Sequence, residues 1–432
     1  MGKSVKHEKM EQRVLNNKKA GLLLLCALIA SYAFICLTKN CFSSAMVFIV
    51  EEGLLTKVQT GLITSSFYLF YAVLQIVGGA IMDKWHPERF ITIGLIGAGL
   101  CNLAIFINQN YAVMITAWSI NAVVQFGVWP ATFKLISTML PQDMRTNSLF
   151  IITFANPCGQ VMSYVVAAII GEVWQINFLF SAVGLVVIAL VWEIIFRSLK
   201  PSIVTTYQEG CLTKRLEEKR REETAHESFL GIAIRSGIII LCLTAFIRCL
   251  FDLGIKSLTP TILNESYEAM SPSLATALNI VVLLSGMAGT VIAKILYPRF
   301  IQNELKILAL FFGIALPLTV LVYLLLGKAN YLVIVVLIAF IVMLMGGGTV
   351  FTTTYIAARY TKFGKGATIA GILNCVASLG VVASNTGFPY IAELSGTWST
   401  TVLVWIMLMS VALVLILIGI PIWSRFIKNK LS

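Results

Sequence analysis

The run Lys214-Arg215-Leu216-Glu217-Glu218-Lys219-Arg220-Arg221-Glu222-Glu223 lies near the middle of a chain of 432 residues. Its opposite charges recur at i, i+4, which favours an exposed helix, and it holds no apolar set from which a core could form. It belongs to a polar segment from Arg197 to about Ser228. Six apolar runs precede that segment, at about Ala20–Ile49, Gln59–Met82, Phe90–Ile107, Tyr111–Leu140, Ser148–Gly171 and Trp174–Phe196. Six more follow, at about Phe229–Leu263, Leu274–Leu296, Ile307–Leu326, Tyr331–Tyr360, Gly366–Ile391 and Ser399–Ile427. A helix crossing the hydrocarbon of a bilayer needs roughly 20 mostly apolar residues. The pattern therefore predicts an all-α integral membrane protein of twelve transmembrane helices in two six-helix bundles. The expected division is a tail at 1–19, a first bundle at 20–196, a charged linker at 197–228, a second bundle at 229–427 and a tail at 428–432.

Composition leads to the same class. Apolar residues make up 58% of the chain and charged residues 12%, with a mean hydropathy of +0.88. A soluble domain carries about 25% charged residues, so this chain has too few to cover a water-facing surface. A soluble enzyme and a nucleic-acid binder are both disfavoured. The first run is much longer than a signal-peptide core and lacks a small-residue cleavage site, so it is expected to remain as a span. Eight of the nine cysteines fall in apolar stretches, Cys211 lies in the linker, and no C-x-x-C pair occurs. They read as small core residues. The three histidines, His7, His86 and His226, sit in polar segments. No metal site and no cofactor are expected, and no Walker A, G-x-S-x-G or H-E-x-x-H pattern is present, so the chain reads as a non-enzyme.

The formal net charge of +12 finds its explanation in where the basic residues fall. With the N-terminus inside, the inner segments collect Lys84, Arg89, Arg145, the linker cluster, Lys294, Arg299, Lys306, Arg359, Lys362, Lys365, Arg425, Lys428 and Lys430. The outer loops hold only Lys57 and Lys328 against six glutamates, Glu51, Glu52, Glu172, Glu265, Glu268 and Glu393. Positively charged loops stay on the cytoplasmic side. Both termini are therefore expected in the cytoplasm, with the chain in a cell membrane such as the bacterial inner membrane.

The end of the second run reads Gly79-Ala80-Ile81-Met82-Asp83-Lys84, followed by Pro87, Glu88 and Arg89. Here the sequence resembles the major facilitator superfamily, whose loop between spans two and three carries G-x-x-x-D-[RK] and further basic residues. The resemblance implies two pseudo-symmetric bundles that rock about a central site, with Gly79, Asp83, Lys84 and Arg89 gating the cytoplasmic side. A later glycine of that motif is replaced by Trp85-His86-Pro87. The D-[RK]-x-x-P pattern is closer to the organophosphate/phosphate antiporter branch, as are LTKNCFSSAM (Leu37–Met46), Gln125 with Trp129-Pro130, and LTPTIL (Leu258–Leu263). The branch's substrate-binding arginines are missing, however. Thr38 stands at the first-span position with Lys39 next to it. Asp252 stands at the seventh-span position, one turn beyond Arg248, and Asn156 replaces the histidine of the fifth span. A related scaffold with a changed substrate is the expectation.

Ionisable side chains at membrane depth cost several kcal/mol unless paired or bathed in a wet cavity, so each is a functional candidate. Lys39 is one. Arg248, Asp252 and Lys256 recur at i, i+4 and i+8 and share one face of the seventh span. One account makes them a satisfied structural cluster. The other makes them the border of a cavity in which Asp252 changes partner as solute arrives. Together with Lys39 they leave the mid-membrane region net positive, which favours an anionic solute. Polar stripes add Asn121, Gln125 and Trp129 in the fourth span and Asn156, Gln160 and Tyr164 in the fifth. Each such residue is an interhelical bond or a solute contact. Lys39, Thr38, Gln125, Trp129, Asn156, Arg248, Asp252 and Lys256 are the candidate substrate-binding set. The stretches Gly346-Gly347-Gly348, Asn156-Pro157-Cys158-Gly159 and Gly286-x-x-Gly289 are candidate hinges.

The reading is a monomeric secondary transporter of a small organic anion, coupled to a proton or a counter-anion, with the lipid bilayer as its surroundings and no nucleic-acid partner. A multidrug exporter of the same superfamily is the rival within transport. A membrane sensor that binds solute without moving it is the rival from another class.

Overall fold

The computed structural model describes residues 10–84, 86–208, 231, 235–300, 303–360 and 366–431. Twelve long helices run through them. The first six are α1 (Lys18–Glu51), α2 (Lys57–Lys84), α3 (Pro87–Ile107), α4 (Tyr111–Met139), α5 (Gln142–Ile170) and α6 (Gln175–Leu199). The second six are α7 (Ile238–Ser266), α8 (Pro272–Phe300), α9 (Glu304–Leu325), α10 (Tyr331–Arg359), α11 (Gly366–Ser395) and α12 (Trp398–Leu431). In hydrocarbon no water can satisfy a backbone group, which leaves the helix as the available form for these apolar runs. Asparagine starts four of them: Asn17, Asn110, Asn303 and Asn330 each accept a first-turn N–H through the side chain, supplying a partner the helix lacks.

Three helices are interrupted. In α4 the break falls at Phe126-Gly127, between Tyr111–Gln125 and Val128–Met139. Pro130 has no N–H to give the Phe126 carbonyl four residues back, so the ladder opens there. Pro157 does the same to Thr153 in α5, which divides into Gln142–Ile152 and Ala155–Ile170. In α10 the interruption is a π-wound turn, Val350–Tyr355, directly after the glycine triplet.

Helix packing repeats between the halves. In the first, α1 packs on α5, α2 on α4, and α3 on α6; in the second, α7 packs on α11, α8 on α10, and α9 on α12. Across the halves α2 meets α11, α5 meets α8, and α1 meets α7. This is a pseudo-two-fold arrangement with α1 and α7 nearest the axis. Each half has its own apolar core, and a third cluster crosses the seam, joining Phe42, Phe67, Tyr68 and Trp118 to Cys249, Ala377 and Val381. Large apolar side chains such as Val187, Leu190, Ile194, Val414 and Leu417 lie exposed on α6 and α12, the faces that lipid would cover.

One feature departs from the all-helical expectation. Strand β1 (Met10–Leu15) pairs antiparallel with β2 (Ile203–Gln208), placing Met10 opposite Gln208 and Leu15 opposite Ile203. Leu15 is buried in the first bundle's core. The two strands are short and nearly two hundred residues apart, so no local periodicity marks either. They tie the expected N-terminal tail to the start of the expected linker. The Lys214–Glu223 run itself lies outside the described residues.

Candidate functional site

The stripe on α7 closes into a single ionic cluster. Arg248 Nη1 donates to Asp252 Oδ2 at 3.0 Å and Lys256 Nζ to Asp252 Oδ1 at 2.5 Å. The three are 1%, 5% and 7% exposed, so the charges face one another with almost no contact with solvent. A fourth member comes from α10. Thr349 Oγ1 accepts from Arg248 Nη1 at 2.6 Å and donates to Asp252 Oδ2 at 2.9 Å. Arg248 Nη1 also points at the Met345 carbonyl, 3.4 Å away. Glycines make the room. A Cβ at Gly286 would stand 2.7 Å from Lys256 Nζ, and one at Gly348 would stand 3.1 Å from Arg248 Cδ. Two cations against one carboxylate leave the cluster with a charge of +1, and Arg248 Nε, although buried, has no hydrogen-bond partner among the described residues.

Pro260 explains a second set of contacts. It lies four residues beyond Lys256 inside α7, so the Lys256 carbonyl receives no helical N–H. A buried carbonyl left without a donor is costly. Asn279 Nδ2 of α8 supplies a bond at 2.8 Å and the Tyr164 hydroxyl of α5 another at 3.3 Å. Tyr164 belongs to the first bundle, so the vacancy made by Pro260 becomes a polar tie across the seam.

Lys39 on α1 lives in different surroundings. Its ammonium lies 4.4 Å from the ring centre of Tyr71, 5.1 Å from that of Tyr68 and 5.5 Å from that of Phe67, all on α2. Among the described residues no carboxylate lies within ion-pair distance of it. The negative faces of the three rings stabilise the charge without cancelling it.

Comparison with known proteins places this geometry. A family model described as Major Facilitator Superfamily matches residues 28–385, from the middle of α1 into α11. The chain belongs to the Major Facilitator Superfamily. That superfamily consists of membrane transporters rather than enzymes, and the twelve-helix fold described above is its fold. A bacterial homolog of the human lysosomal transporter Spinster, solved inward-facing and unoccupied, superposes with a TM-score of 0.68 at 16% identity, covering 96% of this chain and 98% of that one. Among curated relatives, a "Probable hexose phosphate transport protein" of Chlamydia trachomatis is 28% identical over 114 residues, 26% of this chain and 25% of that protein. The "Membrane sensor protein UhpC" of Salmonella typhimurium is 27% identical over 122 residues, 28% of each chain. The chain thus spans about a quarter of the length of the curated relatives it matches.

Within the superfamily fold the other candidate residues are distributed as follows. Thr38 is fully buried and its hydroxyl donates to the Ile35 carbonyl at 3.0 Å. Gln125 Nε2 donates to Asn121 Oδ1 at 2.7 Å, leaving Gln125 Oε1 and Asn121 Nδ2 buried without partners among the described residues. Trp129 stacks against Tyr32 with ring centres 4.9 Å apart. Asn156 is exposed, and Gln160 reaches Asn40 at 3.2 Å. Among the described residues no hydrogen bond joins Thr38, Gln125, Trp129 or Asn156 to Lys39 or to the α7 cluster. Of the gating set, Arg89 is exposed at the start of α3, while the side chains of Gly79, Asp83 and Lys84 lie outside the described residues.

Polar ties between the superfamily's two bundles gather at the end away from the termini. Lys57 pairs with Glu265 at 2.6 Å beneath the Trp398 ring, Asn264 donates to Glu51 at 2.8 Å, and Ser65 meets Thr386 at 2.7 Å. Near the other end Lys294 lies 5.1 Å from the Phe150 ring centre. Sequence reasoning missed Thr349 and the Tyr164–Asn279 tie. A proline four residues beyond a charged intramembrane residue was the available signal for the tie, because it announces a carbonyl in need of a donor.

Proposed function

We propose that the chain is a secondary active transporter that carries a small organic anion by alternating access. The observation that carries this reading is the unneutralised charge near the seam: Lys39 stands among rings with no carboxylate beside it among the described residues, and the α7 cluster keeps a charge of +1. A cation at the bilayer centre costs about 2.5–3.5 kcal/mol on insertion scales, a cost that an entering carboxylate or phosphate ester would offset. Lys39 recruits the anion from the first bundle. On the second, the anion competes with Asp252 for Arg248 and Lys256. The free acceptor of Gln125 and the free donor of Asn121 suit a hydroxylated solute, with Trp129 and Asn156 on the same route. Thr38, whose hydroxyl is taken by Ile35, contributes shape alone.

The outer ties support an inward-facing state, with the termini cytoplasmic in a bacterial inner membrane and the protein working as a monomer. In this reading Gly79, Asp83, Lys84 and Arg89 latch the inner face in the opposite state. A proton or a counter-anion supplies the gradient. The test is uptake into proteoliposomes of a panel of sugar phosphates, hexuronates and dicarboxylates, with and without a pH gradient. The expected result is saturable uptake of at least one anion, lost in Lys39→Ala and Arg248→Ala. Unchanged anion uptake in both variants would sink the charge argument.

A second reading has one observation in its favour, the likeness to a membrane sensor. In that reading the cluster binds the anion and reports it to a partner. Retained anion binding together with no flux of any solute in the same assay would favour the sensor.

A further inference from the structure

The α7 cluster is not confined to α7. Thr349 ends the regular part of α10, and the next residue begins the π-wound turn Val350–Tyr355. Above that turn α10 is clamped to α8 with no space for adjustment. A Cβ at Gly289 would stand 1.8 Å from the Met343 carbonyl oxygen, and one at Gly346 would stand 2.7 Å from that of Gly286. Ser285 and Thr290 of α8 add hydroxyl bonds to the Ala339 and Gly346 carbonyls at 2.7 and 3.2 Å.

Below the turn α10 is clamped again, at different partners. Arg359 donates to Glu304 Oε1 at 2.9 Å and to the Tyr297 hydroxyl at 3.0 Å. Glu304 is fully buried and also accepts from Tyr297 at 2.5 Å and from Trp423 Nε1 at 2.9 Å. The inner tip of α10 is thereby joined to α8, α9 and α12. Between two fixed ends lies one π turn, whose wider winding holds one more residue per loop than an α-helix does. Its hydroxyls bond back along the helix, Thr353 to the Thr349 carbonyl at 2.8 Å and Thr352 to that of Gly348 at 3.3 Å. A π turn returning to α-winding rotates everything beyond it relative to everything before it.

We propose that Thr349 is a positioning residue that couples the Arg248–Asp252–Lys256 cluster to the winding of α10, so that loosening the cluster releases the π turn and moves the inner tip. The proposal rests on the transport reading above for the anion that does the loosening, but the link itself is a property of this chain's own residues. The hydroxyl acts as acceptor from Arg248 and donor to Asp252 at once, and that two-sided bond exists only while the two charges stay together. An anion that draws Arg248 away leaves Thr349 one of its two bonds. The side chain that anchors the start of the π turn is then free to turn with it.

The test uses the full chain with spin labels at Leu54→Cys and Lys328→Cys, on the loops after α1 and α9, in a background lacking other accessible cysteines. The distance distribution without solute reports the inward-to-outward ratio. Thr349→Val keeps the shape and removes the hydroxyl, Thr349→Ala removes it without crowding, and Thr349→Ser restores it. Loss of a hydrogen bond to a charged group is worth about tenfold in an equilibrium. The expected result is a shift of that size in the Val or Ala variant, whichever stays monodisperse, with Ser within twofold of the parent. An unshifted distribution in the Val and Ala variants, or Ser behaving like Val, overturns the link. Uptake of glucose 6-phosphate and glucuronate is measured alongside. A maximal rate that falls with KM held within twofold is expected in the Val variant, and a change confined to KM counts against coupling. Should the parent transport neither anion while the labels shift, the solute reading fails and the Thr349 link stands.

Discussion

Two cation sites near the same seam, one half-buried at Lys39 and one buried on α7, meet the cost of charge among apolar helices in opposite ways. On α7, Arg248 and Lys256 share the Asp252 carboxylate and a threonine hydroxyl. On α1, Lys39 has three aromatic faces and, among the described residues, no carboxylate. A carboxylate cancels charge, and removing it strands the cations it served. Ring quadrupoles lower the energy of a cation by about 0.5–2 kcal/mol and leave its field available to a ligand. The first bundle therefore displays an uncancelled charge, whereas the second holds its charges largely paired.

The largest effect that tests this contrast is at Asp252. Asp252→Asn leaves two buried cations without a counter-charge, a loss of about 3–5 kcal/mol in a closely paired site. A thermal unfolding midpoint in detergent well below that of the parent is expected, with anion uptake abolished. A variant as stable as the parent would show that the cluster is solvated in place. Lys39→Met comes next and runs the other way. Because no carboxylate is stranded, stability should stay within about 1 kcal/mol of the parent, while apparent anion affinity drops about tenfold or more. If Lys39→Met is instead strongly destabilised, the lysine is structural and the contrast between the bundles collapses.

A smaller effect is expected at the ring nearest the ammonium. Tyr71→Leu removes a single cation–π contact, about 0.5–2 kcal/mol, and should weaken anion uptake by between twofold and about thirtyfold at unchanged maximal rate. No change in uptake concentration dependence would mean that the rings do not set Lys39. Smallest of all is Lys57→Gln. The Lys57–Glu265 pair is partly exposed, and such pairs are worth about 0.2–1 kcal/mol. Spin-label distances across the outer seam should broaden slightly toward the open form, and more at low salt than at high.

Much of this molecule is legible before any coordinates. The apolar runs place the helices because a bilayer accepts no other local form for them. Pro157 marks the break in α5 because it withdraws an N–H from a known carbonyl, whereas the matching break at Pro130 in α4 falls inside a run that reads as continuous helix. The i, i+4, i+8 spacing places Arg248, Asp252 and Lys256 on one face because a helix turns once in 3.6 residues. The strand pair was not legible, since pairing between Met10–Leu15 and Ile203–Gln208 is a non-local event in two short segments.

Twelve spans in two sets of six, and a stripe of charge within the seventh, are written in the chain itself. All of these follow from periodicity and composition, which are local. What each charge faces was settled by tertiary packing: rings for Lys39, Thr349 for both Arg248 and Asp252, and a seam-crossing tyrosine for the carbonyl that Pro260 exposes. Those partners sit on other helices, tens to more than a hundred residues away. Their arrival depends on which small residues let two backbones approach, as Gly289 and Gly346 do here. Helix spacing along a chain carries no record of that choice, because it is made by packing between helices rather than by winding within one.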